Sequence, residues 1–249
     1  MKFKYLLIVL SLGISFQLAA NDNAQHVQSS LFENPRYLQT TIATAIEHLE
    51  QTRRKEWSYE VSRFENEEGN VTSSLERFTP HKDISQRWSL ELINGQLPTK
   101  QQTSDFIAGK VESAENKDNG HNISIKPTDL IQQGSLTFAA EDEFKLQANF
   151  NVYLKKLGEE GSKKLHGQLI YDKNNQFIET LIITNTESFS PMFSAKITDF
   201  KLVFSFIKLQ ESVLLYQNQL AMKGHFAFFT DIDETSTDTF SDYQYIGAR

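Results

Sequence analysis

The sequence predicts an α+β fold in which an antiparallel sheet carries most of the chain and a few amphipathic helices cover it. Three observations point there. Runs rich in β-branched and aromatic residues crowd the second half, turn residues separate most of these runs, and an apolar period of three to four residues marks a helix ahead of them.

Residues 1–20 place Lys2 and Lys4 before an apolar run, residues 5–16, that closes on Ala19-Ala20. A basic start, a short hydrophobic stretch and small residues at its end predict a secretory signal peptide cleaved near Ala20, too short to span a bilayer. Residues 21–32 are polar and unpatterned, so a flexible lead-in is expected, followed by a single domain over residues 33–249. No later apolar run is long enough to cross a bilayer as a helix, so the mature protein is expected to be soluble.

Asn34-Pro35 offers a helix cap and first-turn proline, and Leu38, Ile42, Ile46 and Leu49 keep one face apolar up to the cations Arg53, Arg54 and Lys55. At Trp57 the period falls to two, with Trp57, Tyr59, Val61 and Arg63 on one face. Glu68-Gly69-Asn70 turns the chain into a second strand over residues 71–78, and Pro80 stops it. A third strand, residues 86–93, ends at Asn94-Gly95; Thr99 and Gln102 have capping-box spacing before a short helix with Phe106, Ile107 and Val111. Residues 112–122 are charged and aperiodic, which predicts a surface loop.

Strands are then expected over residues 135–154, 165–171, 176–184, 195–207, 211–219 and 219–230. Lys173-Asn174-Asn175 predicts a tight hairpin turn and residues 158–161 a looser one. Phe144, Leu146, Ala148, Phe150 and Val152 share one face of the longest strand; Phe200, Leu202, Phe204 and Phe206 continue the theme, as do Met222, Gly224, Phe226 and Phe228. Such an apolar face is either filled by the protein's own helices or left in part to an apolar guest, and base rate favours filling.

Composition excludes several chemistries. The 249 residues contain no cysteine, so disulfides, a thiol nucleophile, thiolate metal sites and an N-terminal lipid anchor on cysteine are all excluded. Loss of Lys2 and Lys4 with the signal takes the formal net charge from −7 to about −9, which argues against nucleic acid as a partner. Residues 228–235 match the D-x-D-x-T start of haloacid-dehalogenase-type phosphatases through Asp231, Asp233 and Thr235. That motif belongs on an early strand of a parallel sheet with a lysine and more carboxylates downstream, and only fourteen residues follow Thr235, so the phosphatase remains a remote alternative. His26, His48, His81, His121, His166 and His225 have no metal-ligand spacing, and no G-x-S-x-G elbow occurs. Lys155, Lys156, Lys163 and Lys164 predict a solvated hairpin loop, with anionic lipid head groups the less favoured reading. An acidic turn leaving a strand is the expected account of residues 228–235, and Asp231, Asp233, Glu234, Asp238 and Asp242 form an acidic closing segment that lacks the glycine of a tight calcium loop. No catalytic residue, metal or cofactor is therefore expected.

Glu76-Arg77-Phe78-Thr79-Pro80, then Gln86-Arg87-Trp88-Ser89-Leu90, then Asn94-Gly95-Gln96-Leu97-Pro98-Thr99 resemble a pattern in exported proteobacterial proteins related to the LolA-type lipoprotein carriers. The closing Phe240-Ser241-Asp242-Tyr243-Gln244-Tyr245-Ile246 is similar as well. The chain has Thr79 and Asn94 where those proteins carry Asp, both conservative for a turn. The resemblance implies a LolA-like, incomplete and strongly curved antiparallel β-barrel with a few covering helices, working in the periplasm. The expected function is that of a non-enzymatic binding or carrier protein for an acyl chain, lipid or lipoprotein, with transient membrane or envelope-protein contact. Its expected ligand-binding residues are Phe144, Leu146, Phe150, Phe200, Leu202, Phe204, Phe226 and Phe228. The alternative is a periplasmic sensor or protein-interaction module on the same fold.

Overall fold

A computed structural model describes residues 30–115, 126–154, 157–192, 194–227 and 230–247. The expected signal peptide, most of the lead-in, Lys155, Lys156 and Phe228 lie outside the described residues. Helix α1 spans Pro35–Gln51 and is capped as expected: Asn34 Oδ1 accepts from the Arg36 and Tyr37 amides at 3.0 and 3.3 Å. The preceding Leu31–Glu33 forms a 3-10 turn instead of flexible chain, because the Ser30 hydroxyl accepts from the Phe32 amide. A hairpin follows, β1 (Trp57–Glu67) and β2 (Asn70–Phe78), turning at Glu68 and Gly69 with φ of 53° and 89°. Strand β3 is Trp88–Ile93, two residues later than expected because Ile84–Gln86 winds into a 3-10 turn capped by Asp83.

Helix α2 (Lys100–Glu115) starts at a complete capping box, the Thr99 amide donating to Gln102 Oε1 at 2.8 Å and the Gln102 amide to Thr99 Oγ1 at 3.2 Å. It runs through Glu115, four residues into the expected loop.

The rest is mostly strand: β4 (Thr137–Glu141), β5 (Lys145–Asn151), β6 (Leu165–Asp172), β7 (Phe177–Asn185), β8 (Phe189–Met192), β9 (Ala195–Leu209), β10 (Ser212–Phe226) and β11 (Thr230–Tyr245). Four expectations need correction. The expected strand 135–154 is a hairpin, because Asp142 Oδ1 accepts from the Phe144 and Lys145 amides and turns the chain between β4 and β5. The expected turn at residues 158–161 is a single helical turn, α3 (Gly158–Ser162), tied by the Ser162 hydroxyl to the Gly158 carbonyl. Where two strands were expected over residues 211–219 and 219–230, Ser212–Phe226 is one strand with a bulge near Tyr216. The expected acidic closing turn is β11, a sixteen-residue strand.

Among the described residues eleven strands form one antiparallel sheet, in the order β3-β2-β1-β11-β10-β9-β7-β6-β5-β4, with β8 beside β9. The two ends, β3 and β4, do not pair, so the sheet is open. It is also strongly curved. Helix α1 packs against β4, β7 and β10 together. Five strand spacings separate β4 from β10, about 24 Å laid flat, whereas a helix with its side chains is about 10–12 Å wide, so the sheet must wrap the helix to touch it on three sides.

The main core lies in that wrap. Leu38, Ile42, Ala45 and Ile46 of α1, none more than 4% exposed, meet Leu146, Phe150, Leu169, Leu181, Ile183 and Phe204. Strands approach closely where glycine allows it: a Cβ at Gly224 would lie 2.2 Å from the Lys196 carbonyl oxygen across the β9–β10 bulge.

Candidate functional site

Residues paired across antiparallel strands share a face, so the concave surface can be followed row by row. One row runs Leu181, Phe204, Asn218, Asp238, Arg63, Ser74 from β7 to β2; the next runs Ile183, Leu202, Leu220, Ser236, Glu65, Thr72. Both begin apolar and turn polar near β10 and β11. Helix α1 covers the apolar half. The polar half lies toward α2, which packs on β3 and the turn before it.

At the centre of this second half is Glu76, 4% exposed. Its Oε1 accepts from Arg63 Nε at 3.3 Å and the Ser74 hydroxyl at 3.1 Å, and its Oε2 from Lys110 Nζ at 2.7 Å. Arg63 Nη1 also meets Asp238 Oδ2 at 3.1 Å and Glu65 Oε1 at 3.9 Å. The Lys110 ammonium stands 4.2 Å from the Trp88 ring centre and 4.8 Å from that of Phe106. This bridge from α2 to the sheet is thus both ionic and cation–π in character. Two buried acceptors in the same row, Asn218 Oδ1 and Asp238 Oδ1, have no hydrogen-bond partner.

Burial raises the Asp238 pKa above 3.8; Arg63 opposes the rise, while Glu76 and Glu65 add to it. The folded state then holds this proton more tightly than the unfolded chain, so the Asp238 contribution to stability falls as pH rises through the interval from about 3.8 to its higher folded value. Urea unfolding from pH 3.5 upward should therefore show the stability of the parent falling relative to that of Asp238→Asn across this interval. Parallel profiles would contradict the assignment.

Between α2 and the sheet lies a cavity of about 370 Å³, walled by Leu90, Ile93 and Phe106 with Arg63, Glu65 and Glu76 among its polar residues. It contrasts with a larger space of about 600 Å³ at the C-terminal end of α1, whose walls are mainly polar. Beside the α2 cavity stands a small aromatic cluster, Tyr59, Phe78, Trp88, Phe240 and Tyr243. The Arg54 guanidinium lies 4.9 and 4.7 Å from the Tyr59 and Phe240 ring centres. Burial pushes the Tyr243 hydroxyl pKa far up, and that hydroxyl donates to the Leu215 carbonyl at 2.6 Å.

The residues expected to hold a ligand are dispersed. Leu146, Phe150, Leu202 and Phe204 are no more than 7% exposed and belong to the core under α1; Phe200 packs half-buried at its margin. Phe144 and Phe226 are 51% and 44% exposed. None of the described members of that set lines the α2 cavity or the space at the end of α1. Asp231 and Asp233, the phosphatase-like pair, lie on β11 opposite His225 and Lys223, which they meet at 2.8 and 3.3 Å across the strand pair. Lys163 pairs with Glu160 at 2.7 Å, and Lys164 Nζ donates to the Ser188 carbonyl at 3.3 Å.

Known protein families provide no match to this chain, and curated proteins provide none. A crystal structure of a DUF1329 family protein from Desulfovibrio piger is similar over 85% of this chain and 93% of that one, at 10% identity and a TM-score of 0.33. A likeness so slight does not bear on function.

Proposed function

We propose that this is an exported, non-enzymatic binding protein of the periplasm that holds an acyl chain, free or attached to a lipid or protein, between its curved sheet and α2. The LolA-like pattern of residues 76–99 and 240–246 supports that class. One observation carries the reading: the concave face is sealed under α1 but only loosely covered under α2, whose described residues include none that is buried. The cavity left there is within the size range of small-molecule sites, and its Leu90, Ile93 and Phe106 walls suit a hydrocarbon chain. Burying about 300 Å² of chain would gain roughly 7 kcal/mol at ~25 cal/mol per Å² before ordering costs, an affinity suited to reversible carriage.

The chain has no cysteine, so thiols placed at Ile93 and Phe106, which line the cavity from β3 and α2, can be joined by a short bismaleimide. Uptake of a pyrene-labelled long-chain alcohol by the purified protein should fall at least five-fold on joining, measured against the same two-cysteine variant left unjoined. Full uptake with the staple in place would place the ligand elsewhere. Recovery of one protein partner and no lipid from envelope extracts would favour the sensor reading.

A further inference from the structure

We infer that the α2 cavity selects amphiphiles whose polar end is a protonated amine, and rejects those ending in a carboxylate. The inference rests on the acyl-chain reading of the cavity and adds the chemistry of the ligand's other end. Its polar wall presents three carboxylates, Glu65, Glu76 and Asp105, against one guanidinium, Arg63. That guanidinium is already engaged by Glu76 and Asp238, and the neighbouring Lys110 is engaged by Glu76. No cation among these is left to receive an anionic head group. Acceptors, by contrast, remain. Glu65 reaches Arg63 only at 3.9 Å, Asp105 accepts a single hydrogen bond, from Gln101 at 2.7 Å, and Asp238 Oδ1 and Asn218 Oδ1 behind Arg63 have none.

An ammonium entering at the Glu65 and Asp105 side would meet opposite charge and hydrogen-bond acceptors, whereas a carboxylate there would meet like charge with no free donor of matching sign. The hydroxyls of Thr72, Ser73 and Ser74 and the Gln102 amide complete the polar wall and accept or donate to either kind of head. Discrimination therefore falls to the charged residues.

The test is competition against the pyrene-labelled alcohol at pH 7.4 with dodecylamine, dodecanol and dodecanoate, each kept below its aggregation threshold. Dodecylamine should half-displace the probe at a concentration at least ten-fold lower than dodecanoate, with dodecanol between them. In Glu65→Gln/Asp105→Asn the amine-to-carboxylate ratio should fall to within about two-fold of unity while dodecanol still displaces the probe. Both side chains are substantially exposed, so the variant keeps its fold, and removing two of 32 carboxylates hardly alters non-specific attraction of amines. Displacement by dodecanoate at or below the amine concentration, or an unchanged ratio in the variant, would overturn the charge selection alone. If none of the three chains displaces the probe, the cavity reading and this inference fall together.

Discussion

Phe150→Ala combined with Gly167→Val should be less destabilising than the two single changes added together, by about 1–3 kcal/mol. Gly167 on β6 pairs with Phe150 on β5, and the phenylalanine ring lies flat in the space a side chain would take: a Cβ on Gly167 would sit 2.2 Å from Cε2 of Phe150. Valine alone forces that ring out of a fully packed core, at about 3 kcal/mol, the upper part of the range for overpacking. Alanine at Phe150 alone leaves a cavity costing about 3–5 kcal/mol. Together the valine refills part of the volume that the ring vacates. Urea unfolding of the four proteins measures the coupling, and strict additivity would show that the ring does not rest on Gly167.

Glu76→Gln is the second change expected to cost a great deal. The carboxylate is 5% exposed and holds Arg63, Lys110 and Ser74 together, so the amide leaves two cations facing each other with their shared counter-charge gone. Breaking a buried ion pair in this way costs about 3–5 kcal/mol. Because Lys110 is the ionic tie from α2 to the sheet, the loss should appear first as release of that helix. Trypsin should then cut after Lys100 and Lys110 under conditions where the parent resists. A variant that unfolds in one step, with α2 protected until the whole sheet melts, would show that the helix is held by other contacts.

How far the chain announced this architecture depends on which positions carried apolar side chains. Asn34-Pro35, the Leu38/Ile42/Ile46 stripe, the Glu68-Gly69 turn and the Thr99/Gln102 box were all legible because each is a local device that needs no distant partner. Strand β11 was not. Its inward positions hold Ile232, Glu234, Ser236, Asp238 and Phe240, and without a run of apolar residues an alternating strand looks like an acidic turn. Only its neighbours, β1 and β10, reveal why polar side chains belong inside: they face Arg63 and Asn218. The candidate site was hidden for the same reason. The inward phase set by Tyr59 and Val61 continues to Arg63, and a charge on a buried phase was the available signal. Phe150 and Phe204 were correctly assigned to an inward face, but pattern cannot distinguish a face sealed by α1 from one left open, since the difference lies in helix placement.

Strand β11 joins the hairpin at one side of the sheet to the meander at the other, pairing Trp57 with Tyr245 across nearly two hundred residues of chain. Of the eleven strands it is the last to be synthesised. Until it arrives, β1 and β10 each present a long row of unsatisfied backbone amides and carbonyls, open to capture by another molecule. Assembly of this sheet is thus a keystone problem, in which the β1 edge, complete at Glu67, waits for a partner strand that begins only at Thr230. Anything that delays the final strand exposes them to aggregation.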